Sequence, residues 1–211
     1  MRIKYNSPVV LTFALLSTIV LLFSGGTPTD GTAPGELIKA FTVFPSFDFS
    51  NPLDYFRLFS HTLGHGDWQH LIGNMSLILV IGPILEEKYG SKLLIVMMIF
   101  TAFTTGVLNI LLSDHALLGA SGIVFMMITL SSFGSFKKGD IPLTFILVAI
   151  LYIGKEIMQS FEEDNISQMG HIIGGLCGGL LGFLTSKNAE KLEEAQHTTP
   201  EVDETPKDQY L

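Results

Sequence analysis

GHIIGGLCGGLLG, Gly170 to Gly182, sets six glycines and a histidine in an otherwise apolar run. Glycine costs a helix about 1 kcal/mol relative to alanine, so its repetition needs a reason. Gly170, Gly174, Gly178 and Gly182 recur every four residues and form one ridge, which Gly175 and Gly179 broaden. Such a ridge lets two membrane helices come into near backbone contact. A second apolar run with embedded small residues is its natural partner: LLGASGIVFMM, Leu117 to Met127, carries Gly119, Ser121 and Gly122 together. The glycines around Ser121 and those after His171 then form two sides of one packed seam.

The composition places this seam in a bilayer. The 211 residues are 47% hydrophobic and only 15% charged, against about 25% charged in soluble domains. Mean hydropathy is +0.45. The net charge of −8 says nothing about a partner, because much of the acid lies between Glu190 and Asp208, without apolar periodicity. Basic patches interleaved with aromatics are absent, which argues against nucleic acid. A lone cysteine, Cys177, excludes an internal disulfide and a thiolate metal cluster.

Apolar runs fall at Pro8–Phe23, Trp68–Leu85, Leu93–Leu112, Gly119–Phe133, Ile141–Ile153 and Gln168–Thr185. Spanning about 30 Å of hydrocarbon takes roughly 20 helical residues, so the short fourth and fifth runs call for protein- or water-lined surroundings at their ends. The first run, behind Arg2 and Lys4, also has the features of a signal peptide. Its SGG end is a mediocre cleavage site, which favours a retained helix. With the N-terminus inside, cytoplasmic segments hold Arg2, Lys4, Lys88, Lys92, Lys137, Lys138, Lys187 and Lys191. Outer segments hold only Lys39, Arg57 and Lys155. Three parts follow: a cytoplasmic N-terminus (1–7), a six-helix membrane domain (8–186) and a disordered acidic cytoplasmic tail (187–211). Both termini are then cytoplasmic. The first loop, about residues 25–67, faces outward. Its prolines exclude long helices, and its aromatic residues suit the membrane interface.

In that topology the second, fourth and sixth runs all enter from outside. Ser121 lies six residues past His115, His171 seven past Asp164, and His70 and Asn74 three and seven past Asp67. At about 1.5 Å per helical residue, Ser121, His171 and Asn74 share a layer roughly 10 Å deep, with His70 somewhat shallower. Each has a plain structural explanation alone, as a packing serine or an interhelical hydrogen bond. Independent packing roles do not predict a common depth. A serine becomes a nucleophile beside a base, most often histidine, and attack on an amide creates an oxyanion that needs preorganised donors. Asn74 offers an amide N–H, His70 a ring N–H and Ser121 its backbone N–H. Gly119 and Gly122 allow the tight turn and close approach. No Asp or Glu occurs in the fourth or sixth run, so the reading is a Ser121–His171 dyad.

These residues resemble the rhomboid family of intramembrane serine proteases. GASG, Gly119–Gly122, is similar to its GxSG, with Ser121 as nucleophile. HIIGGLCG is similar to its HxxGxxxG helix, with His171 as base and Gly174 and Gly178 as close-contact residues. HTLGHGDWQHLIGNM resembles its histidine-rich entry to the second helix. That carries over His70 and Asn74 as oxyanion donors and His61 and His65 as structural histidines. YFRLFSH supplies the matching Arg57, and Glu86 falls where the family has an acid at the inner end of the second helix. The resemblance covers about Asn51 to Thr185. Two positions depart from it: Phe125 replaces a tyrosine that packs on the histidine, and Phe56 replaces a tryptophan before Arg57.

The resemblance implies an all-α membrane protein, a compact bundle of six transmembrane helices in the lipid bilayer, of the common bacterial inner-membrane layout. It implies cleavage of single-span transmembrane protein substrates near the outer face through an acyl-enzyme, with no metal or organic cofactor. Two other readings compete. A catalytically silent rhomboid-like chaperone or transport helper would keep the bundle without needing Ser121. A metalloprotein would use His61, His65, Asp67 and His70, which cluster within ten positions, although no HExxH motif is present.

Overall fold

In the computed structural model the described residues are 5–28, 33–133 and 168–197, with Leu143, Leu147 and Ile150. Seven α-helices occur among them: α1 (Pro8–Ser24), α2 (Glu36–Lys39), α3 (Pro52–Ser60), α4 (Trp68–Tyr89), α5 (Ser91–Leu112), α6 (Ser121–Phe133) and α7 (Gln168–His197). A 3-10 turn, His61–Leu63, follows α3. The only β-pairing among these residues is an isolated antiparallel bridge between Val43 and Leu117.

Local chemistry sets the ends of these elements. Pro8 opens α1, where a missing N–H costs nothing, and Gly25 closes it in the left-handed region at φ 71°. Asp67 caps α4 by accepting the His70 backbone N–H at 2.7 Å. Gly90, at φ 77°, ends α4 and turns the chain directly into α5. Helices α4 and α5, 22 residues each, are long and apolar enough to cross a membrane; α1 and the apolar parts of α6 and α7 are shorter. The expected fifth span, Ile141–Ile153, lies outside the described residues except at three positions.

Two boundaries differ from the sequence reading. The fourth run was expected to be helical from Gly119, but α6 begins at Ser121. Residues 113–120 are non-helical, so counting 1.5 Å per residue from His115 is the wrong ruler for the depth of Ser121. At the other end, α7 continues to His197, so the segment from 187 to 197, expected to be disordered, is helical. Residues 198–211 lie outside the described ones.

The core gathers Ile78 of α4, Leu94 and Met97 of α5, and Ile123, Met126 and Leu130 of α6, all at most 1% exposed. Large apolar residues also line the outside: Ile72 and Val80 of α4, Val96 of α5 and Leu176 of α7 are each more than half exposed. A helix apolar on both faces suits lipid, not water. At the other end of the bundle, Glu86 ties α1 to α4. Its carboxylate accepts the Val9 and Val10 N–H groups at 3.1 Å each and the Ser91 hydroxyl at 2.6 Å. The Val9 and Val10 N–H groups are orphan donors of the first turn of α1, where a negative charge is favourable.

Helices α6 and α7 approach almost backbone to backbone. A Cβ added to Gly174 would fall on the Gly122 carbonyl, and one at Gly178 on the Met126 carbonyl and 2.9 Å from Thr129 Cβ. At Gly175 and Gly179 an added Cβ would sit at ordinary contact with Thr129, 3.7 and 3.9 Å away. The ridge expected from sequence is therefore two glycines deep at its contact line.

The first loop folds into α2, α3 and the 3-10 turn. Arg57 holds it: the guanidinium pairs with Asp54, donates from Nε to the Lys39 carbonyl at 2.8 Å and lies 5.0 Å over the Phe44 ring. Buried His61 donates from Nδ1 to the Arg57 carbonyl at 3.0 Å, and its Nε2 lies 3.3 Å from the Thr105 hydroxyl of α5. Burial drives the His61 pKa down from 6.5 to about 4, against the raising effect of the Arg57 and Leu58 carbonyls.

Two outcomes follow. Gly174→Val and Gly178→Val should each destabilise by about 1–3 kcal/mol through overpacking, while Gly175→Ala and Gly179→Ala should leave Tm nearly unchanged; thermal unfolding in detergent separates them. The folded His61 titrates below its unfolded value, so the unfolded chain takes up protons first as pH falls. Stability should be complete above about pH 6.5 and decline as pH drops toward about 4, and the part of that window above about pH 5 lies largely clear of ordinary carboxylate titration. His61→Gln should make that decline shallower in denaturation curves recorded across the window, the similarly shifted His65 contributing the remainder.

Candidate active site

Ser121 owes its place to the segment in front of it. Residues 113–120 are non-helical and are fastened at three points. Asn109 Nδ2 donates to the His115 carbonyl at 2.9 Å. Val43 and Leu117 exchange both backbone hydrogen bonds, at 2.9 and 2.8 Å. The Gly119 N–H donates to the His61 carbonyl at 2.9 Å. Gly119 has φ 120°, a region closed to ordinary side chains, and lets the chain reverse into α6. The Ala120 carbonyl then accepts the Val124 N–H, the first bond of that helix. As the first helical residue, Ser121 carries an N–H with no acceptor inside the helix.

His171 comes from α7. Its ring is buried and stacks on Phe125, centroids 4.8 Å apart and planes 9° from parallel. Phe125 lies one turn after Ser121 on the same helix face. Three residues beyond His171, Gly174 meets the Gly122 backbone. Two independent contacts therefore hold the imidazole beside the face of α6 that begins with Ser121. The Phe125 ring stacks without the hydroxyl of a tyrosine. Neither α6 nor the apolar part of α7 contains an Asp or Glu.

A third wall comes from α4. A Cβ on Gly119 would lie 2.7 Å from Cε1 and Nε2 of His70 and 3.8 Å from Nδ2 of Asn74. Both side chains thus border the turn that presents Ser121. Asn74 is buried and donates from Nδ2 to His65 Nε2 at 3.1 Å, and the His65 ring meets His70 edge-on at 5.0 Å. Only the main chain of Gly119 fits between α4 and the turn.

Chemically, the arrangement combines a hydroxyl at a helix N-terminus, an imidazole stacked one turn along, and amide and ring N–H groups on the opposite wall. These are the parts of acyl transfer with a preorganised oxyanion site. His61, His65 and Asp67 spend their side chains on the first loop, on Asn74 and on the α4 cap. Gly122, His61, His65, Arg57 and Glu86 are packing or anchoring residues in this geometry. Sequence reasoning missed Asn109, which is fully buried and pins the segment before the turn. A polar residue inside the apolar run Leu93–Leu112 was the available signal. The Val43–Leu117 bridge had no sequence signature.

The sequence profile of the Rhomboid domain matches residues 52–188. The rhomboid protease GlpG of Haemophilus influenzae is 24% identical over 147 residues, covering 68% of this chain and 76% of that protein. A putative rhomboid protease, YdcA, of Bacillus subtilis is 27% identical over 142 residues, 65% of this chain and 71% of its own length. Rhomboid-like protein 15 of Arabidopsis thaliana is 28% identical over 181 residues, 72% of this chain and 40% of that protein. The matched region runs from α3 through α4, α5 and α6 into α7 and includes His70, Asn74, Ser121 and His171, and with this match over more than half of its length the chain belongs to the rhomboid family.

Proposed function

We propose that this protein is an intramembrane serine endopeptidase that cuts single-span membrane proteins near the outer face of a bacterial inner membrane. The observation that carries the reading is the stack of His171 on Phe125, one turn from Ser121 on the same face of α6. In the proposed reaction His171 accepts the Ser121 hydroxyl proton as Oγ attacks a substrate carbonyl carbon. The tetrahedral oxyanion takes hydrogen bonds from the Ser121 N–H, Asn74 Nδ2 and the His70 ring. His171 then protonates the leaving amine, and the acyl-enzyme is hydrolysed by water with the same histidine as base. Family membership and the proteases among the relatives support the reaction class.

The proposed setting has six spans, both termini in the cytoplasm and the site near the outer end of the bundle. The chemistry favours that depth. Water and charge are poorly solvated in hydrocarbon, so a hydrolytic site needs a short route to an aqueous face. Phe125 in place of tyrosine keeps the stacking surface and drops a hydroxyl, which leaves the proton transfer to the dyad alone.

Wild-type protein should be labelled by a fluorophosphonate probe, and Ser121→Ala should lose both labelling and cleavage of a model transmembrane substrate while Tm changes little. Cleavage by the alanine variant at the wild-type rate would remove Ser121 from the reaction. Asn74→Ala should lower kcat about 100- to 1,000-fold, as expected for an oxyanion donor, with little change in KM. A pure KM effect, measured in detergent, would reassign Asn74 to substrate binding.

A further inference from the structure

We propose that His65 is a positioning residue: its fixed tautomer turns the Asn74 amide so that nitrogen, not oxygen, faces the Ser121 turn. This inference rests on the oxyanion role proposed for Asn74. An asparagine side chain presents a donor or an acceptor depending on a rotation by half a turn, and only the donor helps an oxyanion. Something must choose.

The choice is made by hydrogen-bond logic. His65 Nδ1 lies 3.2 Å from the Leu63 carbonyl, which only accepts, so Nδ1 carries the proton. A neutral imidazole then has a bare lone pair at Nε2. That lone pair is 3.1 Å from Asn74 Nδ2 and accepts one of its two N–H bonds. The second N–H remains, and the same nitrogen is 3.8 Å from the position of a Cβ on Gly119. Asn74 therefore donates once to His65 and offers its other hydrogen on the side of the turn. With the amide reversed, two acceptors would face each other at His65 and an oxygen would meet the developing oxyanion.

Neutrality of His65 is built in. The side chain is fully buried. Burial and the neighbouring His70 lower its pKa from 6.5 to about 4, outweighing the Leu63 carbonyl and Asp67. A protonated ring would put an N–H where Asn74 now donates. The cause of the arrangement is local sequence: the non-helical Gly64–Asp67 stretch between the 3-10 turn and the Asp67 cap folds His65 back against the second turn of α4.

The test compares His65→Met, which fills the space without an acceptor, with His65→Gln, whose amide oxygen can accept from Asn74. His65→Met should lower kcat about 10- to 100-fold at nearly constant KM, the scale of a catalytic group misplaced by about 1 Å. His65→Gln should recover most of kcat, although both variants lose the bond to Leu63. In an Asn74→Ala background His65→Met should bring no further fall, because both changes remove the same donor. Nitrogen-15 imidazole spectra of the wild type at neutral pH should show His65 protonated at Nδ1 and bare at Nε2, a readout that needs no variant to fold. Equal kcat losses in the Met and Gln variants, multiplicative losses in the double variant, or a proton on Nε2 would each overturn the proposal. Cleavage by Ser121→Ala at the wild-type rate would instead remove the serine-nucleophile reading beneath it.

Discussion

The contact of Gly174 with the Gly122 backbone is the constraint from which the candidate site takes its geometry. Helix packing through side chains keeps axes about 8–10 Å apart; an added Cβ at Gly174 or Gly178 would fall on a carbonyl of α6. No hydrophobic drive separates apolar helices from lipid, so close packing carries the association, and the glycines supply it. The consequence is chemical as well as structural. His171 stands one turn before Gly174, and Ser121 immediately before Gly122, so fixing one pair of backbones fixes the other pair of side chains.

The second fixed point is the segment leading into α6. The non-helical approach to α6 ends in a buried stretch, Leu117, Gly119 and Ala120, and irregular backbone in a membrane bundle is tolerated only when protein satisfies it. The Asn109 amide, the paired bonds of Val43 and Leu117, and the His61 carbonyl perform that duty. Each partner comes from a different element: α5, the stretch after α2, and the 3-10 turn. The first loop is thereby structural support for the turn that presents Ser121. Its own fastening by Arg57 and by the bond of His61 toward Thr105 bears on the same turn.

How much was legible in the sequence depended on whether the signal was periodic. The glycine ridge, the pairing of α6 with α7, and the shared face of His70 and Asn74 could be read because four-residue spacing on a helix translates directly into a face. The depth of Ser121 was reached by a route the structure replaces: the residues before it are not helical, and no period distinguishes an extended crossing from a helix in an apolar run. Pairing between Val43 and Leu117 joins residues far apart in the chain through backbone atoms alone, so side-chain identity carried no trace of it. Asn109 was legible and passed over, since a single polar residue in a long apolar run stands out only when its depth is compared with the rest. At the acidic end, composition argued for disorder, yet high Glu, Lys and Ala content from Asn188 to Gln196 is also good helix-forming material, and α7 runs through it.

That α6 and the apolar part of α7 carry no acid has a physical reason. Serine hydrolases in water commonly orient the catalytic imidazole with a buried carboxylate. Near a membrane interior, removing an ion from water costs several kcal/mol even after relaxation, and the cost is recovered only with excellent pairing. Here Phe125 lies flat against the ring, and the close approach of α7 to α6 limits its room to turn. The opposite wall follows the same economy of charge, since Asn74 and His65 settle their donor and acceptor roles between neutral groups. In the proposed reaction charge then appears only transiently, on an imidazolium and an oxyanion formed together. Stacking on Phe125 and the hydrogen bond between Asn74 and His65 orient the groups proposed to meet that pair.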